Sequence, residues 1–230
     1  MYKHLFFDID HTLWDFELNS VHTLKEVYHT NQLPEKGILD FDDFNEVYHE
    51  INDKLWQRFR NGFLSREDLR WKRMWQTLVH YKVNDLALAK KMSEDYLDIL
   101  PQQKALFPYA VEVLEYCAGK GYAMHLITNG FEETQYQKLR TASIDHFFQQ
   151  MITSERAMSM KPHKGIFEFA LKETGADVDS SLMVGDALDI DILGAREIGM
   201  DQVFFNPHQK PHDDRPTYEI SCLSEMKRIV

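Results

Sequence analysis

The feature that most constrains the fold is an alternation of short apolar segments with amphipathic ones in the second half of the chain. From Tyr122 onward, β-like segments alternate with stretches whose apolar residues recur at three- and four-residue spacing. The β-like segments are residues 124–128, 150–153, 182–185 and 203–206, and the helical stretches are residues 132–142, 163–174 and 190–198. This alternation predicts an α/β fold with a parallel sheet covered by helices on both faces. Residues 3–9 predict one more strand, with Leu5, Phe6 and Phe7 at its buried centre.

The region between residues 16 and 100 has a different pattern and contains no convincing strand. Helices are predicted over residues 18–30, 41–59, 66–81 and 85–97. Ser65, followed by Glu67 and Asp68, indicates a helix start, and Asn61-Gly62 indicates a stop before it. The sequence therefore predicts a core domain of residues 1–15 and 101–230, with a helical domain of residues 16–100 inserted into it.

Composition narrows the possible functions. The chain of 230 residues has a formal charge of −11 and 43% hydrophobic residues, which is ordinary for a globular protein. This acidic balance argues against polymeric nucleic acid or an anionic membrane as a partner, but leaves small phosphate esters open. The chain has only two cysteines, no apolar run approaching ~20 residues and no leader pattern at its start. These features predict a soluble, cytoplasmic protein.

Polar residues follow several of the predicted strands, where ligands gather in sheets of this kind. These residues are Asp8, Asp10 and Thr12, then Thr128, Asn129 and Gly130, then Asp186, Asp189 and Asp191, with Lys161 ahead of the helix predicted from residue 163. Each has an ordinary explanation when taken alone, such as a turn, a helix start or an exposed charge. Their shared position at one sheet edge favours a functional site, and only Asp189 is interpreted as a helix-start residue.

The residue types are chemically compatible with phosphoryl transfer. Crowded carboxylates repel one another, and a hard divalent ion such as Mg2+ would relieve that repulsion. A carboxylate can attack phosphorus to give an acyl phosphate, while a lysine neutralises charge. A threonine hydroxyl and backbone N–H groups can hold the phosphoryl oxygens.

Four ordered motifs resemble those of the haloacid dehalogenase superfamily of hydrolases, over almost the whole chain. The motifs are Asp8-Ile9-Asp10-His11-Thr12-Leu13, Thr128-Asn129-Gly130, Lys161-Pro162, and Gly185-Asp186 with Asp191. The resemblance implies a Rossmann-like core with an inserted helical cap and a bound Mg2+. It implies that Asp8 is the nucleophile, that Asp10 is the general acid and base and binds Mg2+ through its carbonyl, and that Lys161 neutralises charge. It also implies that Thr128 binds phosphate and that Asp186 and Asp191 serve the metal site.

Asp10 helps to select among the reactions of this superfamily. The resemblance implies that true dehalogenases lack an aspartate at this position, so a phosphatase or a phosphomutase fits better. We expect Asp8 to be ionised for attack and Asp10 to be protonated for donation to the leaving oxygen, a split favoured by metal on Asp8 and by the negative charge beside Asp10. The alternatives that remain are a sugar phosphomutase, a sugar-phosphate phosphatase and a non-catalytic binding protein.

The substrate is indicated mainly by aromatic residues in or beside the helical region. The tryptophans are Trp14, Trp56, Trp71 and Trp75, and the ordinary explanation for each ring is packing in a core. The stretch from Asn52 to Gly62, with the Thr128 motif, resembles the branch that hydrolyses pyrimidine nucleoside 5′-monophosphates. That resemblance implies a nucleotidase in which Trp56 stacks on the base. Residues 206–216, which include His208, His212 and three prolines, predict an exposed irregular loop rather than a metal site.

Overall fold

The computed structural model describes all residues from 1 to 230, and the chain divides into two compact units. One unit comprises Met1–Phe16 and Lys104–Val230, and the other comprises Glu17–Gln103. The first contains every strand and the second is entirely helical. The prediction of an α/β core with an inserted helical region is therefore confirmed.

The core unit contains a six-stranded sheet whose neighbouring strands are all parallel, in the order β3-β2-β1-β4-β5-β6. The strands are β1 His4–Phe7, β2 Ala123–Thr128, β3 Gln150–Thr153, β4 Ser181–Gly185, β5 Asp201–Phe205 and β6 Tyr218–Ile220. Its helices are α5 Ala110–Gly119, α6 Glu132–Thr141, α7 Ser154–Ala157, α8 Lys164–Thr174 and α9 Leu193–Glu197.

Strand β1 lies at the centre of the sheet because its residues are apolar on both faces. Leu5, Phe6 and Phe7 are fully buried, as expected of a strand covered by helices on both sides. The strand order reverses between β1 and β4. In open α/β sheets, such a reversal leaves a crevice at the carboxyl ends of the strands, where ligands bind. Asp8 follows β1 and Asp186 follows β4 at that crevice.

The helical unit contains α1 Phe16–Thr30, α2 Phe41–Arg60, α3 Arg66–His80 and α4 Leu86–Ile99. Side-chain caps define three of its helix starts. Asp40 accepts from two backbone N–H groups of α2, while Ser65 and Asp85 each accept from one backbone N–H group of α3 and α4. No helix in the chain is both long enough and apolar enough to cross a membrane.

Several segments differ from the sequence prediction. The helix expected over residues 190–198 is a π-helical turn at Leu188–Ile192 followed by the short α9. Helix α5, the short helix α7 and the edge strand β6 add to the predicted elements. Residues 206–216 contain neither helix nor strand, as predicted.

Candidate active site

The centre of the candidate site is a buried lysine between two aspartates. Lys161 Nζ lies 2.5 Å from Asp8 Oδ1 and 2.6 Å from Asp191 Oδ1, although the three residues are far apart in sequence. Asp191 also accepts a hydrogen bond of 3.1 Å from the N–H of Ala187. Burial opposes the charge on Lys161, but Asp191 and Asp8 together hold its pKa above the usual value.

Asp186 completes a cluster of three carboxylates. Its Oδ1 accepts a hydrogen bond of 3.0 Å from Thr12 Oγ1, which is itself fully buried. Burial raises the pKa of Asp8 to about 8, with Asp191 and Asp186 adding to the rise and Lys161 opposing it. Burial likewise raises the pKa of Asp186 to about 7, with Asp191 adding to the rise. Both carboxylates therefore lack sufficient positive charge around them.

These carboxylates fit a hard divalent cation. Oxygen atoms of Asp8, Asp186 and Asp191 all lie within 4.8 Å of one another. Ionised together they carry three negative charges against the single charge of Lys161, so a cation would relieve their repulsion. The carboxylate of Asp10 is not part of this group, and the metal contact predicted for Asp10 is through its backbone carbonyl.

Asp10 contacts two residues that the sequence analysis missed. Lys138 Nζ lies 2.6 Å from Asp10 Oδ1, and Gln135 Nε2 donates to Asp10 Oδ2 at 2.8 Å. Burial disfavours the ionised form of Asp10, but Lys138 and Gln135 outweigh it and lower the pKa of that carboxyl. In the metal-free protein the pKa shifts of Asp8 and Asp10 therefore run opposite to the order expected with metal on Asp8.

The Thr128 motif lies beside these groups and positions them. Thr128 Oγ1 accepts hydrogen bonds from the N–H of Gly130 at 3.0 Å and from Gln135 Nε2 at 2.9 Å. Its own O–H remains a donor. Asn129 Nδ2 donates to the carbonyl of Lys161 at 2.9 Å, and the N–H of Lys161 donates to Asn129 Oδ1 at 2.8 Å. Both ends of the Asn129 amide therefore hold the backbone of Lys161.

The predicted aromatic and histidine residues are placed as follows. Trp56 lies on α2 of the helical unit, is half-buried, and packs edge-on against Phe59 with 5.6 Å between ring centres. Trp14 belongs to the core unit and is buried. His212 contacts Glu219, and His208 is exposed.

The parallel sheet and the aspartate–lysine cluster define a hydrolase of a known family. The family model for haloacid dehalogenase-like hydrolases matches residues 2–199. The chain belongs to that family, and the resemblance found in its four motifs is confirmed.

Curated relatives extend over nearly the whole chain. Pyrimidine 5′-nucleotidase PynA of Streptococcus pneumoniae is 28% identical, covering 98% of this chain and 93% of the relative. Pyrimidine 5′-nucleotidase YjjG of Escherichia coli is 28% identical, covering 98% and 96%. A glyceraldehyde 3-phosphate phosphatase of Pyrococcus abyssi is 30% identical, covering 89% and 82%.

A solved structure shares the fold over both units. The HAD-hydrolase YfnB of Bacillus subtilis, crystallised with magnesium, superposes with a TM-score of 0.89 at 27% identity. The match covers 99% of this chain and 98% of that chain.

Proposed function

We propose that this chain is a Mg2+-dependent phosphomonoesterase that hydrolyses pyrimidine nucleoside 5′-monophosphates through a phosphorylated Asp8. The observation that carries the proposal is the cluster of buried Asp8, Lys161 and Asp191 with half-buried Asp186 at the carboxyl edge of the sheet. Two relatives of nearly the same length are named as pyrimidine 5′-nucleotidases, which supports the choice of substrate. The two free cysteines fit a cytoplasmic location.

Each residue has a defined part in the proposed reaction. In the first step, a carboxylate oxygen of Asp8 attacks phosphorus and the bond from phosphorus to the ester oxygen breaks. Asp10, which we propose is protonated once metal and substrate are bound, gives that oxygen its proton. In the second step, water attacks the phosphorus of the acyl phosphate, and its proton passes to Asp10 while phosphate leaves Asp8.

The groups around Asp8 and Asp10 stabilise charge during both steps. Lys161 neutralises charge as it builds on the phosphoryl oxygens, and Thr128 can donate its O–H to one of them. Bound at Asp8, Asp186 and Asp191, Mg2+ would supply further positive charge for the same oxygens and favour the ionised form of Asp8. Asn129 acts indirectly, because it fixes the backbone that carries Lys161.

Phosphate release from a panel of esters tests this proposal. We expect uridine and cytidine 5′-monophosphates to have kcat/KM at least about tenfold above ribose 5-phosphate, glucose 6-phosphate and glyceraldehyde 3-phosphate. A stacked base contributes about 1–3 kcal/mol, which is enough for that preference. Activity should require Mg2+ and disappear with EDTA. Absence of phosphate release from every ester with Mg2+ would overturn the proposal.

A tryptophan substitution tests how the base is selected. Phosphate contacts are the same for nucleotides and sugar phosphates, so the preference must come from groups that contact the rest of the substrate. We propose Trp56 for that role, and expect Trp56→Ala to remove most of the nucleotide preference while aryl phosphates are still hydrolysed. Trp71→Ala is the matched control, because Trp71 is another half-buried tryptophan of the helical unit. Equal effects of both substitutions would remove Trp56 from the substrate site.

A triose- or sugar-phosphate phosphatase is the second candidate, favoured by the similarity to the glyceraldehyde 3-phosphate phosphatase. The same panel separates the two candidates. Sugar or triose phosphates that match or exceed the nucleotides would replace the nucleotidase proposal and leave the phosphatase mechanism intact. A phosphomutase would instead need a bisphosphate activator and would return the phosphoryl group to sugar.

A further inference from the structure

Both carboxylate oxygens of Asp10 are held by side chains of helix α6. Lys138 Nζ is 2.6 Å from Oδ1 and Gln135 Nε2 is 2.8 Å from Oδ2. The two residues are three positions apart, so they lie on the same face of the helix. Because both of its oxygens have a side-chain partner, the carboxylate of Asp10 is fixed in position and in orientation.

Lys138 is an unusual residue for a helix face because it is 3% exposed. Its ammonium group lies 4.2 Å from the centre of the Trp14 ring and 5.6 Å from the centre of the Phe16 ring. Burying an ammonium group is unfavourable unless a partner compensates for the lost water. The charge of Asp10 and the faces of the two rings provide that compensation, so Lys138 is confined to one position.

Gln135 connects Asp10 to the Thr128 motif. Its Nε2 donates to Asp10 Oδ2 and, at 2.9 Å, to Thr128 Oγ1. Only the NH2 end of an amide can donate hydrogen bonds, so that end faces Asp10 and Thr128. The other end, Gln135 Oε1, is buried without a hydrogen-bond partner, and the contacts at Nε2 therefore determine the orientation of this side chain.

We propose that Lys138 and Gln135 are positioning residues that fix the carboxylate of Asp10 for proton transfer to and from the substrate oxygen. This inference rests on the proposed function. Proton transfer needs a heavy-atom separation of about 2.6–3.2 Å, and a misplacement of about 1 Å in a reacting group can slow a step about 100-fold. Gln135 also fixes the position of Asp10 relative to Thr128, because it donates hydrogen bonds to both residues. Thr128 lies at the phosphate-binding position.

The dependence of rate on the leaving group tests this role in the whole 230-residue chain. Phenyl phosphate and p-nitrophenyl phosphate have similar shapes but different leaving groups. Phenolate is the poorer leaving group, so hydrolysis of phenyl phosphate depends more strongly on a proton from Asp10. We expect Lys138→Met to lower kcat for phenyl phosphate about tenfold more than for p-nitrophenyl phosphate, with KM nearly unchanged. In an Asp10→Asn background, Lys138→Met should cause little further loss, because Asp10 is the group through which Lys138 acts.

Arg140→Met is the matched control, because it removes an exposed cation from the same helix. Its activity should match that of the parent on both esters. Parent-like kinetics of Lys138→Met, equal losses on both esters, or losses that add to those of Asp10→Asn would each overturn the inference.

Two further variants cover the case in which Lys138→Met does not fold, as judged by circular dichroism. Lys138→Gln removes the charge with a smaller change in polarity, and Gln135→Met removes the other contact to Asp10. Each of these variants should show the selective loss of kcat on phenyl phosphate. A variant that folds but does not show this loss would overturn the inference. A parent protein inactive on every ester would instead overturn the proposed function itself, which separates the two failures.

Discussion

At the scale of single residues, Asp8 and Lys161 carry the proposed chemistry. Asp8→Asn keeps the size of the side chain but removes the oxygen nucleophile and one of the charges that hold Lys161. We expect kcat to fall by more than about 100-fold, which corresponds to about 2.7 kcal/mol of activation free energy. Phosphate release under saturating nucleotide, with the fold checked by circular dichroism, measures this loss.

Asp189→Asn is the control for that substitution, because Asp189 is an exposed aspartate on the π-helical turn after β4. It should keep the activity of the parent. Turnover of Asp8→Asn within about tenfold of the parent would exclude Asp8 as the nucleophile. Such a change corresponds to an increase of only about 1.4 kcal/mol in activation free energy.

At the scale of secondary-structure elements, the last residue of β4 allows the π-helical turn to approach the sheet. A Cβ atom at Gly185 would lie 2.5 Å from both Cβ and Cγ of Asp191, and aspartate is too short to move aside easily. Gly185→Ala should therefore displace Asp191 from Lys161 and lower kcat/KM at least about tenfold. Overpacking of this kind also destabilises a protein by about 1–3 kcal/mol, which thermal unfolding would detect.

A second glycine provides the control for Gly185→Ala. Gly119, at the end of α5, has no atom within 4 Å of the position that a Cβ would take. Gly119→Ala should therefore leave activity unchanged. Parent-like kcat/KM in Gly185→Ala would show that the contact between Asp191 and Lys161 is dispensable.

The strands and the residues that follow them could be predicted from sequence because each signal is local. An apolar run such as Leu5–Phe7 followed by Asp8 shows both a buried strand and its end. The π-helical turn lacks such a signal, since Leu188–Ile192 simply alternates apolar and acidic residues. Strand β6 is short and has only Ile220 buried, so no alternation indicates it. Helix α5 does carry the signal, with Ala110, Val113 and Cys117 on its buried face.

The environment of Asp10 could not be predicted in the same way. Lys138 is 128 positions from Asp10, and nothing local to either residue indicates that they meet. Lys138 and Gln135 lower the pKa of Asp10 in the metal-free protein, whereas the expected order of proton affinities assumes metal on Asp8 and stays a prediction for the metal-bound protein. A clue did exist in α6, where Gln135, Lys138 and Leu139 share the face that is buried. A lysine on such a face indicates a buried partner of opposite charge.

At the scale of the whole molecule, the site should make folding stability depend on pH. The pKa of Asp8 is about 8 and that of Asp186 about 7 in the metal-free fold, whereas an aspartate in the unfolded chain titrates near ~4. Between pH ~4 and pH ~8 the folded state therefore binds more protons, and these two groups make stability fall as pH rises. Asp10, with a lowered pKa, has the opposite effect, losing its stabilising contribution as pH falls.

Magnesium should reverse the destabilisation caused by Asp8 and Asp186, because a divalent cation favours their ionised forms and competes with protons for the same oxygens. We therefore expect MgCl2 to raise Tm more at pH 8 than at pH 5.5, measured by thermal unfolding against NaCl of equal ionic strength. A ligand at 100 times its Kd stabilises by about 2.7 kcal/mol, and about 2–4 °C per kcal/mol applies to chains of this length. Asp186→Asn should abolish most of the difference, whereas Asp189→Asn should retain it. An equal magnesium shift at both pH values, or one that survives Asp186→Asn, would place the cation somewhere other than the carboxylates of Asp8, Asp186 and Asp191.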